Sequence, residues 1–138
     1  MGSHTVRYDG GMAFIGEGGS GHAVVMDESA AAGGRGRGPT PVELLLSAIG
    51  GCTGMDVISI LQKMKTPASA LTITVDVERS SSHPKALRRV HLLYRIDGEL
   101  PEENARRAID LSLTKYCSVA GSLAEAVELR WDLELGSS

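Results

Sequence analysis

The sequence predicts an α+β fold, because one long apolar helical segment separates two groups of short segments with strand-like alternation. Three short apolar pieces precede this helix. Two alternating segments, a second helix and a final alternating segment follow it. Strands that neighbour one another along the chain pair most simply as antiparallel hairpins. We therefore expect an α+β domain with antiparallel pairing.

Composition limits the chain to one compact domain and disfavours several classes of protein. The 138 residues are 42% hydrophobic, which suits a single domain with its own core. The formal net charge is -3 and no dense Lys/Arg cluster occurs, so we expect no nucleic acid and no membrane as partner. The apolar runs are interrupted and no leader pattern opens the chain, which favours a cytoplasmic protein. Residues 1–4 and 136–138 have the composition of expression-tag remnants, and no function is assigned there.

The N-terminal segment is predicted to form a hairpin and a third strand. Glycines separate its three apolar pieces, which are residues 6–8, 12–15 and 22–26. Residues 28–40 are too rich in Gly and Pro for helix or strand, and we expect a mobile loop. Its GGRGRG run lacks both the GKS ending of a phosphate loop and interleaved aromatic residues. A loop in which Arg35 or Arg37 could hold an anion is therefore favoured over a nucleotide site.

A long helix is predicted to begin at Pro41. Thr40 is a favourable N-cap, proline is favoured at the first helical position, and Glu43 places a carboxylate in the first turn. Basic residues and a proline mark its end: Lys63, Lys65 and Pro67. Because the segment is apolar on nearly all sides, we expect a central, buried helix.

The second half of the chain is predicted to contain two strands, a helix and a last strand. Apolar and polar side chains alternate in residues 71–78 and 90–97, and the polar loop between them favours an antiparallel hairpin. A second helix is expected from Pro101 to near Tyr116. Residues 127–135 alternate without interruption, which predicts a final strand.

Cys52 lies in the middle of the long helix, directly after Gly50 and Gly51. Helical spacing places it on a polar stripe with three later residues: Asp56, Ser59 and Lys63. A lone helical cysteine is ordinarily a small apolar side chain at the border of a wet face. Each glycine, however, costs about 1 kcal/mol relative to alanine in a helix. The pair therefore indicates close packing against another element, access for a substrate to the Cys52 sulfur, or both.

Cys117 lies at the junction between the second helix and a short helix that Ser118 is expected to cap. A thiol at a helix N-terminus has a lowered pKa, because the free N–H groups and the helix dipole favour the thiolate. No CxxC spacing occurs and the histidines are scattered, so zinc is disfavoured. The functional hypothesis is a redox pair of Cys52 and Cys117. The structural alternative is two buried thiols that fill the core.

Glu43 is the third candidate site residue. It lies nine residues before Cys52, which corresponds to about 13.5 Å along the helix, so it cannot reach that thiol through the helix they share. It would serve a thiol only across a dimer interface or through a broken helix start. Its favourable interaction with the helix dipole is the simpler account.

The segments TPVELLLSAIGGCTGMDVISILQKM and KYCSVAGSL together resemble the OsmC/Ohr family, specifically its YhfA-like branch. The order of elements agrees over residues 6–135, and the two cysteine motifs combined are more specific than either alone. The resemblance implies an α+β, OsmC-like fold. In this fold, two core helices that each carry one cysteine are enclosed by curved antiparallel sheets of an intertwined homodimer.

The resemblance also implies thiol-dependent reduction of organic hydroperoxides in oxidative-stress defence, with no metal or organic cofactor. Cys52 matches the peroxidatic cysteine and Cys117 the resolving cysteine. The sulfenic acid formed on Cys52 would condense with Cys117 into a disulfide, which an external dithiol reductant would reduce.

The chain departs from the family pattern at two places. Val42 follows Pro41 where better-known branches carry an acid, and Glu43 comes one position later. No arginine occurs in residues 16–22, where the family carries its activating arginine. Arg35 or Arg37 are candidates to replace it. The alternative function is non-catalytic binding of a small acyl or aromatic molecule, or a redox-responsive dimer of the same fold.

Overall fold

The computed structural model of the chain describes residues 2–136. The expected tag remnants at Met1, Ser137 and Ser138 lie outside these residues. Contacts along the chain divide it into two compact units, Met1–Leu46 and Ser47–Ser138. Each unit contains one three-stranded sheet. The assignment of the whole chain to one domain stays a prediction.

The first unit contains an antiparallel meander of strands β1 (Thr5–Tyr8), β2 (Phe14–Glu17) and β3 (Ala23–Met26). The predicted hairpin and third strand are therefore confirmed. The hairpin turn uses Gly10 and Gly11 at positive φ, a conformation that other residues adopt only with strain. Several large apolar side chains of this unit are exposed: Val6, Tyr8, Met12 and Phe14.

Asp27 organises the Gly-rich segment that follows β3. Its side chain is 3% exposed, and its carboxylate accepts hydrogen bonds from the backbone N–H groups of Glu28 at 2.7 Å, Arg35 at 3.3 Å and Arg37 at 3.2 Å. Burial acts to raise the pKa of Asp27, but these N–H groups outweigh it and hold that pKa below its usual value. One charged side chain thus satisfies three backbone donors of a segment that forms little regular structure.

Helix α1 extends from Pro41 to Lys63. Oγ1 of Thr40 accepts a hydrogen bond from the backbone N–H of Glu43 at 3.2 Å, so the predicted cap and start are confirmed. The expectation that α1 is buried on nearly all sides is wrong for the single chain. Its buried residues lie at every fourth position on one stripe: Ile49, Thr53, Val57 and Leu61. By length and composition α1 could cross a membrane, a property that core helices of soluble proteins share.

The sheet of the second unit has the order β4 (Ala70–Arg79), β5 (Leu87–Asp97) and β6 (Glu128–Leu135). Strands β4 and β5 pair antiparallel, as predicted. The expectation of antiparallel pairing throughout is wrong for β6, which runs parallel to β5. The connection between them contains helices α2 (Glu102–Leu111) and α3 (Ser118–Leu123), and such a crossover returns the chain in the same direction. The fold is α+β with one mixed sheet.

Glycines allow α1 to pack closely against β4. A Cβ atom at Gly50 would lie 3.3 Å from Cγ2 of Val75, and one at Gly54 would lie 3.3 Å from Cδ1 of Ile73. A Cβ at Gly51 would meet no atom within 4 Å. Gly50 therefore serves packing, whereas Gly51 is exposed and leaves open space next to Cys52.

The Asp27→Asn substitution is expected to destabilise the protein, because an amide oxygen accepts the three N–H groups less strongly than a carboxylate does. At neutral pH we expect the equilibrium constant for unfolding in urea to rise roughly tenfold. The folded pKa of Asp27 is lowered, so its contribution is present above the usual aspartate pKa and is lost as the pH falls through the folded pKa.

The unfolding equilibrium constants of the parent and of Asp27→Asn should therefore become more similar as the pH is lowered. Glu28→Gln is the matched control, since Glu28 contributes its backbone N–H and not its side chain to the contact. If the difference in the unfolding equilibrium constant did not depend on pH, the stabilisation could not come from the charged form of Asp27.

Candidate dithiol site

The two cysteines come together in the second unit. Cys52 lies at the middle of α1 and is partly exposed, whereas Cys117 directly precedes α3 and is 4% exposed. Both are free thiols, and they are near enough for each to shift the pKa of the other. Sγ of Cys52 also lies 3.9 Å from Oγ of Ser118. Two residues separated by 64 others are thereby brought into one site.

A π-helical turn, Ser112–Tyr116, carries the chain from α2 to Cys117. Cys117 itself caps α3, because its sulfur accepts a hydrogen bond from the backbone N–H of Ala120 at 3.3 Å. The expectation that Ser118 caps this helix is wrong. Ser118 is instead the first residue of α3, and its hydroxyl faces Cys52.

The first turn of α3 lowers the pKa of the Cys52 thiol. The largest cause is a hydrogen bond from the backbone N–H of Val119, and the thiol of Cys117 and Ser118 add smaller effects in the same direction. Partial burial opposes them without reversing the result. Cys52 consequently ionises more readily than an ordinary cysteine, which makes it the better nucleophile at neutral pH.

The pKa of the Cys117 thiol is shifted in the opposite direction. Burial raises its pKa to about 11, and the neighbouring Cys52 adds to this effect. The expectation of a lowered pKa at Cys117 is therefore wrong. The N–H groups of Ala120 and Val119 do favour its thiolate, but loss of hydration outweighs them. Near neutral pH, Cys117 is a protonated thiol that can donate to Cys52.

A buried hydroxyl network next to the thiols was not found from the sequence. Oγ1 of Thr53 lies 2.8 Å from the hydroxyl of Tyr94 and 2.7 Å from Oγ of Ser112, which donates to Asp56 at 2.9 Å. Thr53, Tyr94 and Ser112 have no solvent exposure, and burial raises the pKa of Tyr94 to about 12. The available signals were a threonine within an apolar helix and polar side chains at inward positions of β5 and of the π-helical turn.

Three of the remaining candidate residues belong to the first unit. Glu43 is exposed in the first turn of α1. Arg37 pairs with Asp9 at 2.7 Å, and the guanidinium of Arg35 lies near Gly11, both within the first unit. Lys63 is exposed in the last turn of α1. The hydrogen bonds to the two sulfurs come from the first turn of α3.

The first unit contains an apolar cavity of about 400 Å³. Its lining combines apolar side chains with two acids: Val6, Met12, Phe14, Met26, Asp27, Glu28 and Pro41. Among residues 2–136, no group of three or more His, Cys, Asp or Glu side chains could hold a metal ion.

Fold and site together define an α+β dithiol protein, with one thiol that ionises readily and one that is buried and protonated. The family described as OsmC-like protein matches residues 34–132. Protein YhfA of Escherichia coli strain K12 is 35% identical over 131 residues, covering 94% of this chain and 95% of YhfA. The chain therefore belongs to the OsmC-like family, in its YhfA-like branch.

Solved structures agree with this assignment. A hypothetical protein from Aquifex aeolicus VF5 has a TM-score of 0.88 and 26% identity, over 100% of this chain and 98% of that one. An organic hydroperoxide resistance protein from Elizabethkingia anophelis has a TM-score of 0.76 and 14% identity, over 99% of this chain and 96% of its own. The OsmC-like fold expected from the sequence is confirmed.

Alkylation of the reduced protein should distinguish the two thiols by pH. Because the pKa of Cys52 is lowered, its reaction with iodoacetamide should reach half of its maximal rate at a lower pH than the reaction of an ordinary cysteine does. Ser118→Ala should raise that midpoint and slow labelling several-fold at neutral pH, since it removes one group that favours the thiolate.

Mass spectrometry of the labelled peptides separates Cys52 from Cys117. Ser122→Ala is the control, because its hydroxyl donates to the Ser118 carbonyl and not to a sulfur. Equal rates for Cys52 and Cys117 would contradict the assignment.

Proposed function

We propose that this protein reduces organic hydroperoxides through the thiols of Cys52 and Cys117, in cytoplasmic defence against oxidative stress. The observation that carries the proposal is the contrast in pKa between two neighbouring thiols, lowered at Cys52 and raised to about 11 at Cys117. A thiolate is needed for attack on peroxide, and a second thiol in reach is needed to resolve the product. Membership of the OsmC-like family supports the same chemistry.

In the first step, the Cys52 thiolate attacks one oxygen of the hydroperoxide. The S–O bond forms as the O–O bond breaks, and the alkoxide leaves and takes up a proton to become the alcohol. Cys52 is oxidised to a sulfenic acid while the peroxide is reduced by two electrons. The N–H of Val119, which stabilises the thiolate beforehand, keeps the nucleophile available at neutral pH.

In the second step, the sulfur of Cys117 attacks the sulfenic sulfur of Cys52. The S–S bond forms as the S–O bond breaks, and the departing hydroxide combines with the Cys117 proton to give water. A protonated thiol in contact with Cys52 can supply that proton itself. An external dithiol then returns both cysteines to thiols by disulfide exchange. The reaction uses no cofactor.

We further propose that two copies of the chain form a homodimer through α1. The helix leaves an apolar face open in the single chain, and Met55 on this face is 76% exposed. Ala48 and Gly51 are also exposed, and small residues permit close approach of a second helix. In such a dimer, Glu43 in the first turn of α1 would lie near the Cys52 thiol of the second protomer and could act on it.

Purified reduced protein should consume cumene hydroperoxide and accumulate a Cys52–Cys117 disulfide. Cys52→Ser should lower the second-order rate at least a hundredfold, because no other thiolate is present at the site. Cys117→Ser should still consume about one equivalent of peroxide and then stop, with a sulfenic acid at Cys52 that dimedone traps.

The rate of peroxide loss measures turnover, and peptide mass spectrometry detects the disulfide and the dimedone adduct. Undiminished turnover by Cys52→Ser would refute the mechanism.

Met55→Lys should weaken the dimer at least tenfold, because it places a charge on a face that a second protomer would cover. Light scattering after size-exclusion chromatography over a concentration series measures the change. Thr72→Lys adds the same charge at an exposed residue of β4 and should leave the mass unchanged. A monomeric parent protein would contradict the homodimer.

The apolar cavity of the first unit favours one alternative, which is binding of an acyl or aromatic molecule without turnover. Retention of such a ligand in native mass spectrometry, together with negligible peroxide consumption and intact thiols, would support it over the peroxidase.

A further inference from the structure

Ser112 connects the two cysteine-bearing segments of the second unit. Its hydroxyl contacts two residues of α1, namely Thr53 at 2.7 Å and Asp56 at 2.9 Å. Its backbone carbonyl accepts the N–H of Cys117 at 2.7 Å. Thr53 follows Cys52 directly and Asp56 lies one helical turn later. A single residue thus binds the helix of one thiol with its side chain and the backbone of the other thiol with its carbonyl.

In each hydrogen bond of this network, only one of the two groups can be the donor. Each hydroxyl carries one proton, and the Ser112 proton is donated to the Asp56 carboxylate. Ser112 must then accept from Thr53, and Thr53 must accept from Tyr94. Every hydroxyl donates once, Thr53 and Ser112 each accept once, and the chain ends at a carboxylate acceptor. A satisfied buried network of this kind has little freedom to rearrange.

The backbone before Cys117 explains why the contacts of Ser112 are needed. Cys117 follows the π-helical turn Ser112–Tyr116, a wider turn than a regular helix provides, and the turn begins at Ser112. Three of its residues are exposed: Thr114, Lys115 and Tyr116. With its start fixed by Ser112 and its end by the bond from Cys117, this turn holds the Cys117 sulfur in place.

We propose that Ser112 is a positioning residue that, through Asp56 and Thr53, sets the effective concentration of the Cys117 thiol at Cys52. The inference rests on the proposed redox pairing of these cysteines, but it concerns disulfide formation rather than peroxide reduction. The relevant reaction is exchange with oxidised dithiothreitol. The protein dithiol loses two electrons and two protons to form the Cys52–Cys117 disulfide, and the reagent gains them.

The test is the equilibrium constant of this exchange, measured by alkylation and mass spectrometry across a series of reduced to oxidised dithiothreitol ratios. Ser112→Ala should shift the equilibrium toward the dithiol about tenfold, which corresponds to about 30 mV for two electrons. Asp56→Ala changes a half-exposed residue and should shift it in the same direction, which keeps the test available if Ser112→Ala does not fold.

Two controls separate positioning from stability. Tyr94→Phe removes the far end of the network, so it should lower the urea midpoint while leaving the exchange equilibrium within twofold of the parent. Thr114→Ala removes a 2.7 Å hydrogen bond to the Asp110 carbonyl beside the same turn and should also leave the equilibrium unchanged.

An unchanged equilibrium in Ser112→Ala or Asp56→Ala, or an equal shift in Tyr94→Phe, would overturn the proposal. These outcomes do not depend on peroxide. A parent protein that forms the disulfide with dithiothreitol yet consumes no hydroperoxide would contradict the proposed function and leave the role of Ser112 standing.

Discussion

The site depends on the backbone N–H groups at the start of α3, which favour the thiolates of both cysteines. The N–H of Val119 favours both thiolates and that of Ala120 favours Cys117, yet the pKa values of these thiols move in opposite directions. Burial decides the difference, because Cys117 is almost fully removed from water while Cys52 is only partly so. A short helix and a gradient of burial thereby give two chemically identical side chains distinct reactivities.

Much of the fold was predictable because its signals are local. The cap at Thr40, the start of α1 at Pro41 and the alternation of the strands require only neighbouring residues. The direction of β6 was mispredicted because it depends on a crossover through α2 and α3. The pKa of Cys117 was mispredicted for a related reason, since helix position is local but burial depends on the whole unit.

The residues that surround the thiols were less predictable than the thiols themselves. Cysteines are rare and stand out in the sequence, whereas Thr53 and Ser112 are common residues whose importance depends on a contact across 59 positions. The close packing predicted from the glycines before Cys52 is confirmed for Gly50 and does not hold for Gly51. Gly50 allows α1 to approach Val75, and Gly51 faces open space. Only a structure distinguishes the two.

The parallel pairing of β6 also affects how the protein folds. Arg89 on β5 pairs with Glu128 on β6, and the chain between them contains α2, the π-helical turn and α3. Closing so long a loop is entropically costly, and folds dominated by such non-local pairs form more slowly than helical bundles. β6 also brings Trp131 edge-on to Tyr94 at 6.3 Å, beside the hydroxyl network. During synthesis, the sheet of the second unit is therefore completed only after β6 has left the ribosome.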